Sequence, residues 1–472
     1  MSMLYDKLIA YSTSDYYGFH MPGHKRNQQL LDVKLPYDID ITEIDGFDNL
    51  HHADGIIKQA QMRAATLYHA DETHFLVNGS TVGILSAILG CTKKGDTILV
   101  ARNSHKSVYH AIFLNELNPI YVYPKFLEEN QLNGEIEVEA IQALVEEHVE
   151  IQAVVITSPT YDGVVSDVAR IAEYVHRKGI PLIVDEAHGA HFGFHSYFPE
   201  NANTKGADIV IHSLHKTLPA LTQAALLHMN GHLVDRAIVQ NYLQILQTSS
   251  PSYVLMASID TCIEMLETRR EEVMNPYVQR LTETRAELRS LQHMQMVETP
   301  NYDKSKIVIS VKDTTISSKE LYDSLLEKDH LQLEMVAGNY VLGMTSVGDT
   351  QEGFVRFVQA LQRIDHGLQY HVGVTIEQKL PCAEMVCGSA WILGKMRESL
   401  VEEDEFRNLP WEECRGYITT EYAYLYPPGI PLMVPGERIT EEVIACLTQY
   451  RAFGFLIEGL HKEGYIKVWI HG

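Results

Sequence analysis

From about residue 57 to residue 300, short apolar runs alternate with segments of helical period, and this order restricts the fold more than any other feature of the chain. "DTILVAR", "PIYVYP", "IQAVVITSP", "IPLIVDEAH", "ADIVIHSLHK" and "AALLHM" read as strands. "GSTVGILSAILG", "SVYHAIFLNEL", "VEAIQALVEEHV" and "VARIAEYVHRKG" read as the helices between them. The strands are apolar along nearly their whole length, so both of their faces must be covered. A β-α-β-α order with strands of that kind predicts an α/β fold, with a mostly parallel sheet between layers of helix.

At 472 residues the chain is too long for one compact core. An N-terminal arm is expected over 1–50, a large domain over 51–295 and a smaller C-terminal α/β domain over 296–472. Within this, 231–293 reads as a long solvated linker helix between domains. "KIVISV", "YVLGM" and "SKELYDSLLEK" supply strands and a helix of the small domain.

Charge and cysteine content narrow the function classes. There are 38 basic and 62 acidic residues, a formal net charge of -24. Such a surface argues against nucleic acid as a partner, because phosphate binding needs basic patches. No apolar run approaches the ~20 residues of a membrane span, and the N-terminus lacks the pattern of a secretory leader. Cys91, Cys262, Cys382, Cys387, Cys414 and Cys446 form no CxxC pair, so neither a zinc knuckle nor a disulfide framework is indicated. A cytoplasmic location is expected, without membrane attachment.

Ligands of open parallel sheets lie at the carboxyl ends of the strands. There the chain places Asn103-Ser104-His105, Thr157-Ser158-Pro159-Thr160, Asp185-Glu186-Ala187-His188 and Ser213-Leu214-His215-Lys216. Gly79-Ser80-Thr81 opens a helix, whose backbone N–H groups and hydroxyls suit a phosphate. Taken singly, Lys216 reads as a surface lysine, Asp185 as a cap, Ser80 and Thr81 as a helix start and His105 as a core histidine. Their joint order matches the needs of pyridoxal 5'-phosphate (PLP): a lysine, an acid for the ring nitrogen, a phosphate cradle and a flat cover. Lys216 is the Schiff-base candidate and Asp185 the acid. Ser80, Thr81, Ser213 and His215 could hold the phosphate, and His105 could stack on the ring. Other chemistries use the same parts. An aminotransferase or lyase on this fold would share Lys216 and Asp185. "HGAHFGFH" also sets His188, His191 and His195 close together, as in a metal-binding protein, although no metal site is expected.

"SLHKTLPALTQ", "VDEAHGAHFGFH", "TSPTYDG", "NSHKSV", "FLVNGSTVG", "FHMPGHKRN", "DITEIDGFDNLHH" and "YPPGIPLMVPGE" together resemble the Orn/Lys/Arg decarboxylases. The likeness runs from about residue 19 to 437. It implies a PLP enzyme with the aspartate-aminotransferase type of fold, in the short form that lacks an N-terminal wing domain. It also implies a homodimer or higher homo-oligomer, with active sites at the subunit interface. By resemblance Lys216 carries PLP, Asp185 pairs with its ring nitrogen and His105 stacks on it. Ser80, Thr81, Ser213 and His215 bind its phosphate, and His188 lies beside the ring. The activity implied is decarboxylation of arginine, lysine or ornithine to the amine and CO2, within polyamine biosynthesis. Lys216 or His188 is expected to return the proton to Cα. A carboxylate must read the cationic tail, with Glu421 as first candidate and Glu43 and Asp45 behind it. One departure touches this last point: the segment before "YPPGIP" reads "CRGYITTEYAYL", with Arg415-Gly416-Tyr417 where the family commonly has a Gly-Arg-Ile pattern.

Overall fold

The computed structural model describes residues 3–129, 131–371, 379–398, 405–425 and 429–470. The chain forms two compact units. The first comprises Met1–Cys91, Val168–Val278 and Ser346–Gly348; the second comprises Thr92–Asp167, Gln279–Thr345 and Asp349–Gly472.

In the first unit four strands lie side by side in the order Glu72–Leu76, Ala225–Met229, Ile209–His212, Leu182–Asp185. The last two are parallel, as expected. Ala225–Met229 departs from the expectation and runs antiparallel to both of its neighbours. The cause lies in the connection 213–224, whose only helix is the single turn Leu214–Thr217. A parallel return needs a full crossover element. The chain instead folds straight back, and the turn that results carries Lys216.

Glu72–Leu76 is an edge strand that the sequence reading does not name. Its outer edge is satisfied by amide side chains. Phe75 N–H donates to Gln61 Oε1 at 3.0 Å, and Val77 N–H donates to Gln247 Oε1 at 3.0 Å. These contacts occupy backbone groups that an exposed edge would leave open to pairing. Helix Gly79–Cys91 then lies close over the sheet at Gly83, where a Cβ would come within 2.7 Å of Leu76 and 3.3 Å of Ile211.

The stretch 231–293 is not a solvated linker. It holds two helices, Arg236–Leu246 and Tyr253–Leu288, the second interrupted at Arg269 (φ -133°, ψ 17°). Met256, Ile259, Ile263 and Leu266 recur at helical spacing and are fully buried within the first unit. The many charges of this stretch occupy the other side, which is why it reads as solvated when charge alone is weighed.

In the second unit Ile151–Thr157, Thr97–Ala101 and Asn118–Val122 form a parallel set, with Thr97–Ala101 in the middle. A four-stranded antiparallel sheet follows, ordered Gln295–Val297, Lys306–Ser310, Tyr340–Met344, Met335–Ala337. Nearer the C-terminus a five-stranded sheet packs around Trp411, Val443, Leu447, Ile466 and Val468. Among the described residues no helix is long and apolar enough to cross a membrane.

A buried ion pair joins the parallel set to the C-terminal segment of this unit. Arg102 directly follows strand Thr97–Ala101, and both it and Glu437 are essentially inaccessible. Arg102 Nη2 lies 3.3 Å from Glu437 Oε2, and Nη1 donates to the Tyr109 hydroxyl at 3.1 Å and to Pro431 O. Val434 N–H donates to the same carboxylate at 2.8 Å. Removing one partner strands the other charge in a dry interior. Arg102→Met should therefore lower stability by about 3–5 kcal/mol, and Arg102→Met/Glu437→Leu should recover most of that loss. Urea unfolding of the two variants is the check. A single-variant loss within about 1 kcal/mol, the range of an exposed pair, would contradict the assignment.

Candidate active site

The first unit brings seven of the expected residues onto three turns: Ser80, Thr81, Asp185, His188, Ser213, His215 and Lys216. Strand Ile209–His212 ends at Ser213, and the turn Leu214–Thr217 presents Lys216. Strand Leu182–Asp185 ends in the acid itself, followed by the bend that carries His188. Strand Glu72–Leu76 leads through Gly79 into the helix that begins Gly79-Ser80-Thr81. Gly79 has φ +73°, a left-handed conformation that glycine adopts without a Cβ clash, and its N–H is held by Gln223 O at 3.0 Å. The next N–H groups belong to a first helical turn and have no carbonyl within the helix to meet.

Lys216 Nζ lies 2.9 Å from His188 Nε2. Asp185 is 4% exposed and accepts one hydrogen bond, from Ala187 N–H at 3.1 Å. Burial pushes its carboxyl above the usual carboxylate range, while the Lys216 ammonium and the Ala187 N–H pull in the opposite sense. A cationic N–H beside Asp185 would favour the ionised form. The Ser80 and Ser213 hydroxyls are hydrogen-bonded to each other across the turn. Ser213 spends no side-chain bond on capping its own helix, and Thr81 is exposed at the start of the first. His215 is half-buried, with Nδ1 3.0 Å from Ala224 O. Burial is the largest influence on its pKa and pushes it down. With Nδ1–H given to that carbonyl, Nε2 becomes a donor only on protonation, which an adjacent phosphate would favour.

His105 and Glu421 belong to the second unit. His105 caps helix Lys106–Leu114, its Nδ1 accepting from Ser107 N–H at 3.2 Å and lying 2.9 Å from Ser107 Oγ. That bond fixes the plane of the ring. The same unit ties this helix start to Gly429, whose carbonyl accepts from Lys106 N–H at 3.1 Å. Glu421 accepts from His461 N–H at 2.9 Å and from Lys467 N–H at 2.8 Å, one bond on each oxygen. Arg415 pairs with Glu441 at 3.0 Å rather than with Glu421. Of the motif "YPPGIP", Tyr426, Pro427 and Pro428 lie outside the described residues.

The histidines of "HGAHFGFH" have separate surroundings. The His191 ring packs against Phe192 and Phe198, and His195 Nδ1 accepts from Tyr197 N–H at 3.0 Å. Among the described residues no group of three or more His, Cys, Asp and Glu side chains is arranged to hold a metal ion.

A second polar group was not recognised from sequence. Glu186, His212, His228 and Thr73 form a hydrogen-bonded chain inside the first unit. Its signal is present in the residues: His212 and His228 are the single polar side chains of the apolar strands Ile209–His212 and Ala225–Met229, and Glu186 and His212 adjoin Asp185 and Ser213. Linear sequence does not tell which strands are neighbours, so the connection could not be drawn from it.

A nucleophilic amine, a buried acid and an anion cup within one unit suit a cofactor that carries a carbonyl, a basic ring nitrogen and a phosphate. Asp185 and Lys216 answer the first two needs, and Ser80, Thr81 and Ser213 answer the third.

Comparison with known proteins shows the family. Residues 2–323 match the family described as Orn/Lys/Arg decarboxylase, major domain, and residues 395–464 match its C-terminal domain. The uncharacterized protein YaaO of Bacillus subtilis is 34% identical over 97% of this chain and 96% of its own length. The arginine decarboxylase of the same organism is 32% identical over 97% of this chain and 95% of its own. Among solved structures, the lysine decarboxylase LdcF of Francisella novicida superposes with a TM-score of 0.82 at 20% identity, covering 99% of this chain and 81% of that one. The fold is thus the expected one, a large domain of the aspartate-aminotransferase type with a smaller C-terminal domain. The chain belongs to the Orn/Lys/Arg decarboxylase family and is an amino-acid decarboxylase.

Proposed function

We propose that this enzyme removes the α-carboxylate of a basic amino acid, releasing CO2 and the corresponding amine, with PLP anchored on Lys216. The observation that carries the proposal is the buried Asp185 carboxylate, within electrostatic reach of the Lys216 amine at the end of an otherwise apolar strand. A dry carboxylate is costly without a cationic partner, and a protonated pyridine nitrogen is one. Arginine is the first choice of substrate, then lysine and ornithine, because relatives similar over nearly their whole length bear the name arginine decarboxylase. We assign 51–295 to cofactor binding and 296–472 to the small domain. Homodimers or larger homo-oligomers are supported by an arm with Tyr16, Tyr17, Phe19, Met21, Leu30 and Val33 exposed, more apolar surface than a lone subunit keeps in one segment. A cytoplasmic location is favoured by six cysteines, all of them free.

PLP, when bound, supplies a conjugated ring that accepts the electron pair left on Cα as CO2 departs. The residues of the chain do the rest. Asp185 holds the proton on the ring nitrogen. Ser80, Thr81, Ser213 and the first N–H groups of helix Gly79–Cys91 fix the phosphate end, with His215 as a further donor once protonated. His105, locked by its bond to Ser107, offers a flat face for the ring. His188, 2.9 Å from Lys216 Nζ, takes and returns that amine's proton as the lysine is displaced and restored, and one of the two delivers a proton to Cα. Glu421 remains our candidate for the substrate's distal cation. Its two backbone bonds leave further lone pairs on the carboxylate.

Four outcomes follow. Reduction of the PLP-loaded protein with borohydride, then peptide mapping, should label Lys216, and label on another lysine would refute the assignment. The same preparation offered arginine, lysine and ornithine should release CO2 and amine; a keto acid product would indicate an aminotransferase instead.

Asp185→Asn should keep the fold and bind some PLP, yet lose turnover by about 100-fold or more, since an amide cannot hold the ring proton by charge. Turnover near that of the unmodified enzyme would show that the acid is not used.

Glu421→Gln should raise KM for the basic substrate by an amount corresponding to about 2–5 kcal/mol, with PLP affinity unchanged. A fall in melting temperature with KM unmoved would assign Glu421 to holding His461 and Lys467 alone.

A further inference from the structure

Lys216 and Asp185 can act together only if their two turns are held in fixed register, and the structure assigns that task to Glu186, His212, His228 and Thr73. We propose that these four side chains are a positioning device, locking the turn that carries Lys216 against the turn that carries Asp185 from the opposite face of the sheet. The proposal rests on the cofactor reading above and deepens it.

Strand alternation supplies the first argument. Asp185 is the register partner of Ile211, so their side chains share one face. Glu186 and His212, each one residue further along, point to the other face. There His212 Nε2 lies 2.7 Å from Glu186 Oε2, and Ala202 N–H donates to the same oxygen at 2.9 Å. His212 Nδ1 lies 3.0 Å from His228 Nε2, and His228 Nδ1 lies 2.7 Å from Thr73 Oγ1. The register agrees, with His228 opposite both Val210 and Thr73. One chain of bonds therefore crosses from the end of Leu182–Asp185 through the two strands Ile209–His212 and Ala225–Met229 to the edge strand Glu72–Leu76. That edge strand leads into Gly79 and Ser80.

Burial supplies the second argument. Glu186 is 2% exposed, and His212 and His228 are wholly inaccessible. The Tyr68 ring covers both imidazoles, with centroid distances of 4.8 and 4.9 Å, and its hydroxyl donates to Ala190 O at 2.7 Å. Burial pushes the His212 and His228 imidazoles down and the Glu186 carboxyl up, each toward its neutral form. A neutral chain of this kind has one donor for every acceptor. A break anywhere leaves buried groups unsatisfied, so the network tolerates a single arrangement. Apolar side chains would fill the same space without fixing where each strand ends.

His212→Leu cuts the chain at the residue that adjoins Ser213. Val210→Ala, on the same strand and the same face but outside the chain, provides a matched loss of packing. Apo protein titrated with PLP, followed by the cofactor's visible circular dichroism, reads the site without turnover. His212→Leu should weaken PLP binding by about tenfold or more and lower kcat far more than it raises KM, while Val210→Ala at a similar melting temperature stays within about twofold. His212→Gln, whose amide can donate and accept at a similar reach, should restore most of the affinity. Equal PLP affinity in His212→Leu and Val210→Ala would overturn the positioning role. If His212→Leu does not fold, His212→Asn decides against His212→Gln. Asn is polar but too short to meet both Glu186 and His228, and equal affinity in those two variants also overturns the role. Wild-type protein that takes up no PLP would overturn the cofactor reading itself, a result distinct from any difference among the variants.

Discussion

The buried carboxylate of Asp185 is the constraint on which the rest of the site depends. A carboxylate taken from water into the end of an apolar strand is raised in energy unless a cation or several donors meet it. Here it has one backbone N–H, and the Lys216 ammonium within electrostatic reach. A protonated ring nitrogen, on the proposed reading, redresses that imbalance. The imbalance also explains why the surrounding turns are specified so closely. On the proposed reading, the lysine is near enough to interact with the acid, yet free to leave when substrate arrives.

The sheet meets this demand by dividing labour between its faces. One face of the first unit carries Asp185 and Ile211, with helix Gly79–Cys91 laid against Ile211 at Gly83. The other carries the polar chain from Glu186 to Thr73. Strand geometry makes this possible, because adjacent residues point to opposite sides. "DE" at the end of one strand and "HS" at the end of the next therefore each send one side chain to either face. The antiparallel strand Ala225–Met229 is equally necessary. It brings His228 opposite Val210 and Thr73, and its short connection forms the turn that presents Lys216.

Much of this was legible in the residues. The apolar runs predicted the strands around Asp185 and Lys216, because a doubly covered strand has a distinctive composition. The polar clusters at their ends are legible as well, and the fold of the first unit sets Ser80, Asp185, Ser213 and Lys216 on its strand-end turns. The direction of Ala225–Met229 was not legible, since "AALLHM" has no directional mark and only the length of the preceding connection argues for a return. The strand Glu72–Leu76 escaped notice because "ETHFL" is half polar, which suits an edge held by Gln61 and Gln247. The helix Tyr253–Leu288 reads as solvated because its charges are frequent along the sequence and interleave with the buried positions, such as Met256, Ile259, Ile263 and Leu266, that define its inner face. Glu186, His212 and His228 could not be joined because strand order is a tertiary property.

A crystal structure of the protein grown with PLP tests the central claim most directly. The account predicts continuous density from Lys216 Nζ to the cofactor, with the ring nitrogen about 2.7–2.9 Å from an Asp185 oxygen, as in a charge-assisted hydrogen bond. It also predicts the phosphate at the start of helix Gly79–Cys91. Cofactor density joined to another lysine, or a ring nitrogen facing away from Asp185, would contradict it.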